Sequence, residues 1–137
     1  MNSLLFVEET SKEITEKLNR ISQQIWDFAE LPYEEYQSAA LLIDTLKEEG
    51  FTVKEGVAGI PTAFVARFSQ GTGGMVAGFL GEYDALDALS QKQGIVQADP
   101  IQQGAPGHGC GHNLLGAGAL GAALVLKKYL LENNISG

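Results

Sequence analysis

The side chains best suited to metal or nucleophilic chemistry are crowded into one stretch of this 137-residue chain, Gly107-His108-Gly109-Cys110-Gly111-His112-Asn113. Both histidines and the only cysteine fall here, at alternate positions separated by glycines. Glycine admits backbone angles closed to other residues and leaves space beside its neighbours, so the imidazoles and the thiol can be turned toward one point. Imidazole and thiolate are preferred ligands of zinc and its first-row neighbours, although the spacing is not that of a zinc finger. A second polar cluster, Gly81-Glu82-Tyr83-Asp84, closes an apolar run. Glu82 and Asp84 are two apart, so both carboxylates share one side of an extended segment. Taken alone, they read as a solvated strand end. They gain a role only beside the histidine loop, where a following helix N-terminus opposes a bare cation and nearby carboxylates restore the charge balance. Adjacency of Asp84 to that loop is therefore expected.

The elements that must carry these clusters are legible from periodicity. Ile14, Leu18, Ile21, Ile25 and Phe28 recur at helical steps, and Thr10-x-x-Glu13 supplies a capping box, predicting a helix over about 11–29. Leu31-Pro32 interrupts it. A second helix is expected over about 34–49, with Tyr36, Ala40, Ile43 and Leu46 inward and Gly50 ending it. The period then changes to alternation, with one short strand at Phe51 and Val53 and another at Phe64, Ala66 and Phe68. Residues 69–74 read as a turn that lacks the Lys-Ser or Lys-Thr ending of a phosphate loop. Met75 to Leu80 is an unbroken apolar run, the pattern of a strand covered on both faces in a layered sheet. A loop over 99–111 leads into a helix rich in glycine and alanine over about 114–131, whose small residues allow close approach. Two helices, about three strands and a buried third helix define the expected α/β class, the whole chain forming part of a single domain.

Composition narrows the function. Nine basic residues stand against seventeen acidic ones, a formal net charge of −8, so phosphate backbones and anionic lipid surfaces are repelled on average. Nucleic acid and membrane are not expected partners. A lone cysteine excludes an intrachain disulfide. The start, with Leu4 to Val7 running into Glu8 and Glu9 and no basic residue before them, does not read as a signal peptide, and a cytoplasmic location is expected. The run Leu114 to Leu126 is too short for a bilayer span and ends in Lys127-Lys128, the expectation being a helix leaving a protein core.

Three segments carry a family resemblance: Trp26-Asp27-Phe28-Ala29-Glu30 leading to Tyr33-Glu34-Glu35-Tyr36, then Gly81-Glu82-Tyr83-Asp84-Ala85-Leu86, then Gly107 through Gly116. In them the chain resembles the zinc- and manganese-dependent metallopeptidase and amidohydrolase family that includes aminoacylases, carboxypeptidase G and the aminobenzoyl-glutamate hydrolases. The resemblance implies the amino-terminal portion of a layered α/β/α catalytic domain, with one or two divalent ions, zinc or manganese, in the complete enzyme. It implies Cys110 and His112 as metal ligands and Asp84 as the catalytic carboxylate that orients a ligand histidine or steadies the metal centre. Glu82, which stands where many relatives carry a ligand histidine, is implied as a supporting residue, as are His108 and Asn113. Asp87 stands where the family often has proline. The implied reaction is hydrolysis of the amide in an N-acyl amino acid, aminobenzoyl-glutamate or a small dipeptide. The chain resembles only the first third of such a protein, so the general base and remaining ligands are expected elsewhere, and these residues alone are expected to be inactive. A homodimer or a partner chain that completes the fold is also implied.

Two other readings use the same residues. Cys110 as nucleophile, His112 or His108 as base and Asp84 as orienting acid would make a cysteine hydrolase. A non-catalytic metal-binding or scaffold module would account for the absence of further ligands.

Overall fold

The structure, a computed structural model, describes residues 2–137. Its elements in chain order are α1 (Ser3–Phe28), α2 (Tyr36–Glu48), β1 (Thr52–Glu55), β2 (Phe64–Arg67) and α3 (His112–Glu132), with a short 3-10 turn (Val57–Gly59) between the strands. This is a mixed α/β architecture, as expected.

Helix α1 starts about two turns earlier than its capping box suggests. Asn2 is the N-cap, its side chain accepting from the Leu4 N–H at 3.0 Å. Thr10 and Glu13 are interior positions. The stripe of Ile21 and Ile25 continues back through Thr10 to Phe6, which is buried with its ring edge-on to Tyr129 of α3 at 5.2 Å. Because that stripe has a partner along its whole length, the helix does not stop at the local signal. Ala29, in the left-handed region at φ 44°, ends it, its N–H bonded to the Ile25 carbonyl.

Helix α2 ends as anticipated, but of the residues expected inward only Ile43 and Leu46 are buried: Tyr36 and Ala40 are exposed, and Ser38, Ala39, Leu42 and Thr45 complete the buried face. Gly50 adopts φ 80°, its N–H bonds to the Lys47 carbonyl and the Phe51 N–H to the Leu46 carbonyl, a Schellman closure that turns the chain into β1. Strands β1 and β2 form an antiparallel pair with Thr52 opposite Arg67 and Glu55 opposite Phe64. One face of this pair, with Val53, Phe64 and Ala66, packs on a core of Ile21, Ile25, Leu42, Leu46, Ala117, Leu120 and Leu124. Helices α1 and α3 lie together at that core. Gly121 admits the Leu18 side chain so closely that a Cβ there would strike it.

Two further expectations are corrected. Met75 to Leu80 does not form the predicted covered strand: the segment has no regular secondary structure, and Met75, Val76 and Leu80 are 86 %, 93 % and 97 % exposed. The only sheet among the described residues is the two-stranded pair, so no strand is available to bond the backbone of this run, and Phe79 alone of its residues lines the groove between α1 and α3. The second concerns α3, which at 21 residues is long and apolar enough by length and composition to cross a bilayer. Here Ala117, Leu120, Gly121 and Leu124 are buried against the rest of the chain.

Candidate functional site

The loop before α3 is fastened to the segment after the apolar run by a small antiparallel bridge. The Leu86 N–H donates to the Gly107 carbonyl at 3.0 Å, and the Gly107 N–H returns to the Leu86 carbonyl at 2.9 Å. Gly107 is required there, since a Cβ would run into the backbone of Leu89 and Ser90. Gly111, at φ 75°, turns the chain into α3, so that His112 becomes the first helical residue. The chain past Gly81 also lies close against α3: a Cβ on Gly116 would come within 3.2 Å of both the Glu82 carbonyl and the Tyr83 side chain. Small residues on α3 thus admit the acidic segment to the helix end, as the glycine and alanine pattern suggests.

The result is a cluster of one imidazole and two carboxylates. His112 Nδ1 stands 2.8 Å from Asp84 Oδ1, and His112 Nε2 is 3.3 Å from Glu82 Oε2. The side chains of His112 and Asp84 are 19 % and 20 % exposed, whereas that of Glu82 is 69 % exposed at the rim. Since a carboxylate only accepts, Nδ1 donates to Asp84, and a neutral ring then offers the Nε2 lone pair on the Glu82 side. Lone pair and carboxylate oxygen facing one another at that distance repel, and a proton or a cation between them relieves the repulsion. A carboxylate on one ring nitrogen with the other nitrogen left as donor is the usual support of a metal-binding histidine. The donor chemistry therefore fits a divalent cation in kind but is incomplete in number: among the described residues, no three His, Cys, Asp and Glu side chains are grouped to hold one.

The other loop residues face different partners. His108 is buried beside Trp26, its Nε2 2.9 Å from the Ile25 carbonyl and hence the donor, which leaves Nδ1 buried without a partner among the described residues. Burial pushes its pKa below the ordinary 6.5, outweighing the hydrogen bond to Ile25. Asn113, also buried, donates its amide to the Ser22 hydroxyl at 2.9 Å. Cys110 is exposed and lines a groove of about 550 Å³ with Trp26, Gln93, His108 and Asn113. Among the described residues no hydrogen bond joins Cys110 to either histidine, so the pairing that a cysteine hydrolase needs is not formed.

Several residues with no assigned role in the sequence hold the site. The Glu30 carboxylate accepts from the Gln37 N–H, the Ser38 N–H and the Ser38 hydroxyl, each at 2.8 Å, and so caps α2 in place of its N-cap residue Glu35. The backbone carbonyl of Glu30 accepts from the Ala85 N–H at 2.7 Å. Glu35, itself buried, accepts from the Tyr33 N–H at 2.9 Å and from the Thr62 hydroxyl at 2.6 Å, and the Tyr83 hydroxyl donates to the Thr62 carbonyl. Burial, helped by the charge of Glu35, pushes the Tyr83 phenol up to about 12. The available signal was the segment from Trp26 to Tyr36, which carried resemblance but no assignable chemistry.

A mixed α/β unit that sets an acid-held histidine at the start of a buried helix fits a portion of a hydrolase domain. Comparison with known proteins makes this specific. The chain is 45 % identical over 132 residues to a subunit of the p-aminobenzoyl-glutamate hydrolase of Escherichia coli K12, covering 96 % of this chain and 27 % of that protein. It is 33 % identical over 117 residues to thermostable carboxypeptidase 2 of Saccharolobus solfataricus, covering 85 % and 29 %. It is also 33 % identical over 130 residues to the Xaa-Arg dipeptidase of Mus musculus, covering 89 % and 26 %. No protein-family model matches the chain. By these likenesses the chain belongs to the amidohydrolase and peptidase family that the three proteins represent, and it spans about a quarter of the length of these relatives.

Proposed function

We propose that these residues are the part of a metal-dependent amidohydrolase that orients one metal-binding histidine, and that the whole protein cleaves the amide of an N-acyl amino acid, an aminobenzoyl-glutamate or a small dipeptide. The observation that carries this reading is the clamping of His112 between Asp84 and Glu82 at the start of α3. The names of the relatives, a hydrolase of p-aminobenzoyl-glutamate, a carboxypeptidase and a dipeptidase, support the reaction class.

In this proposal His112 Nε2 and Cys110 would hold a zinc or manganese ion, Glu82 lying on the Nε2 side of the ring at the rim. When bound, such an ion supplies Lewis-acid polarisation of an amide carbonyl and a water acidic enough to react near neutral pH. Asp84 keeps the proton on Nδ1, which fixes the tautomer, stops the ring from turning and makes Nε2 a better donor. Two or three donors do not complete a catalytic site, which ordinarily has three protein ligands and an open position. Further ligands and the glutamate that serves as general base are therefore proposed to come from the rest of the protein or from a partner chain, and these 137 residues alone to be inactive. The name of the first relative, which describes one subunit of a hydrolase, supports a partner chain. A cytoplasmic setting is part of the proposal.

The test is an assay of the whole protein for release of the free amino acid from p-aminobenzoyl-glutamate and from a set of N-acyl amino acids and dipeptides. Turnover that a chelator abolishes and added zinc or manganese restores is expected. Turnover untouched by chelation but lost to a thiol alkylator would replace this reading with the cysteine mechanism.

A further inference from the structure

The segment from Trp26 to Tyr36 carries four acids that the proposed reaction does not use, Asp27, Glu30, Glu34 and Glu35, and two of them, Glu30 and Glu35, are linked to the residues on either side of Asp84. On one side the Glu30 carbonyl holds the Ala85 N–H at 2.7 Å. Glu30 is itself immobilised, because its carboxylate is spent on four donors at the start of α2. On the other side Glu35 holds the Thr62 hydroxyl at 2.6 Å, and the carbonyl of Thr62 receives the Tyr83 hydroxyl. Ala85, Ser38 and Thr62 are all buried, so these bonds are little exposed to competition from water. Asp84 therefore sits between Ala85, held at its backbone N–H, and Tyr83, held at its side-chain hydroxyl. His112, its partner, is fixed separately by the helix start and by Asn113 on Ser22.

We infer that Glu30 and Glu35 are positioning residues: through Ala85 and through Thr62 and Tyr83 they set the place of Asp84, and thereby the direction in which His112 presents Nε2. The bracket is a property of this chain. Only its consequence for catalysis rests on the function proposed above.

The test uses the 137-residue chain labelled with ¹⁵N and follows the Nδ1–H of His112 by NMR at neutral pH. In the parent chain this proton is expected to be shifted downfield and slow to exchange through its bond to Asp84, and Asp84→Ala, which leaves no acceptor, marks the signal of a broken bond. Tyr83→Phe and Glu30→Gln are each expected to move the resonance toward the Asp84→Ala position. Each should also speed its exchange about fivefold, the factor that loss of one ordinary hydrogen bond represents. Tyr83→Phe removes a single oxygen, and circular dichroism reports whether either variant keeps its helices. A resonance and exchange rate equal to the parent in both folded variants overturns the inference. Failure of the amidase assay in the whole protein, with the resonance moving as described, would leave the bracket standing and remove only the function built on it.

Discussion

At the scale of single residues the site is governed by what each imidazole does with its two nitrogens. His112 gives one to Asp84 and turns the other toward Glu82, while His108 gives one to the Ile25 carbonyl and keeps the other buried. The two histidines of one loop therefore differ in kind: His112 is held between two carboxylates at the start of α3, and His108 acts as a buried post that ties the loop to α1. A buried neutral histidine has a consequence for stability. Its folded pKa lies below the 6.5 of an exposed imidazole, so as the pH falls below 6.5 the unfolded chain takes up the proton first. The contribution of neutral His108 to stability is complete above pH 6.5 and is lost as the pH falls through and below that value. Urea unfolding of the parent chain and of His108→Gln should show this directly, with a stability difference that favours the parent at about pH 7.5 and narrows by about pH 5.5. A difference that stays constant or widens would contradict the assignment of His108 as a buried neutral group.

At the scale of elements, the histidine loop works because its neighbours are held at close range. The Leu86 and Gly107 bridge is the clearest instance, since the absence of a side chain at Gly107 lets two backbones touch. Gly107→Ala should cost roughly 1–3 kcal/mol of stability, the range for forcing extra atoms into a packed site, and should loosen the loop that ends in His112. Chemical denaturation reads the first effect, and an unchanged midpoint would show that the bridge can part without cost. Much of this framework was legible beforehand. The stripe through Ile21 and Ile25, the stop at Gly50 and the alternation around Val53 and Phe64 are local signals, and they mark real elements. The adjacency of Asp84 to the histidine loop was also anticipated from charge balance. What was not legible depends on contacts between distant residues. Thr10 and Glu13 resemble a helix start, but the packing of Phe6 on Tyr129 carries α1 past them. Glu30 caps a helix from seven and eight residues away, a distance at which no short motif reveals the bond.

At the scale of the whole molecule, the apolar run from Met75 to Leu80 was misread for an instructive reason. Its composition asks for cover on two faces, and among the described residues no strand supplies it and the helices α1 and α3 meet only Phe79. A buried-strand pattern states what a segment needs and does not identify the partner that provides it. The same applies to the site, which presents an oriented histidine and a rim carboxylate but too few donors among the described residues for a complete metal centre. Both features agree with a chain that spans about a quarter of the length of its relatives. The claim on which the account turns is that His112, oriented by Asp84, binds a catalytic cation in the whole protein. The most direct measurement is the metal content of the purified whole protein by elemental analysis, compared between the parent and His112→Ala. The account predicts zinc or manganese near stoichiometric in the parent and reduced severalfold in the variant. Equal metal content in the two proteins would contradict it.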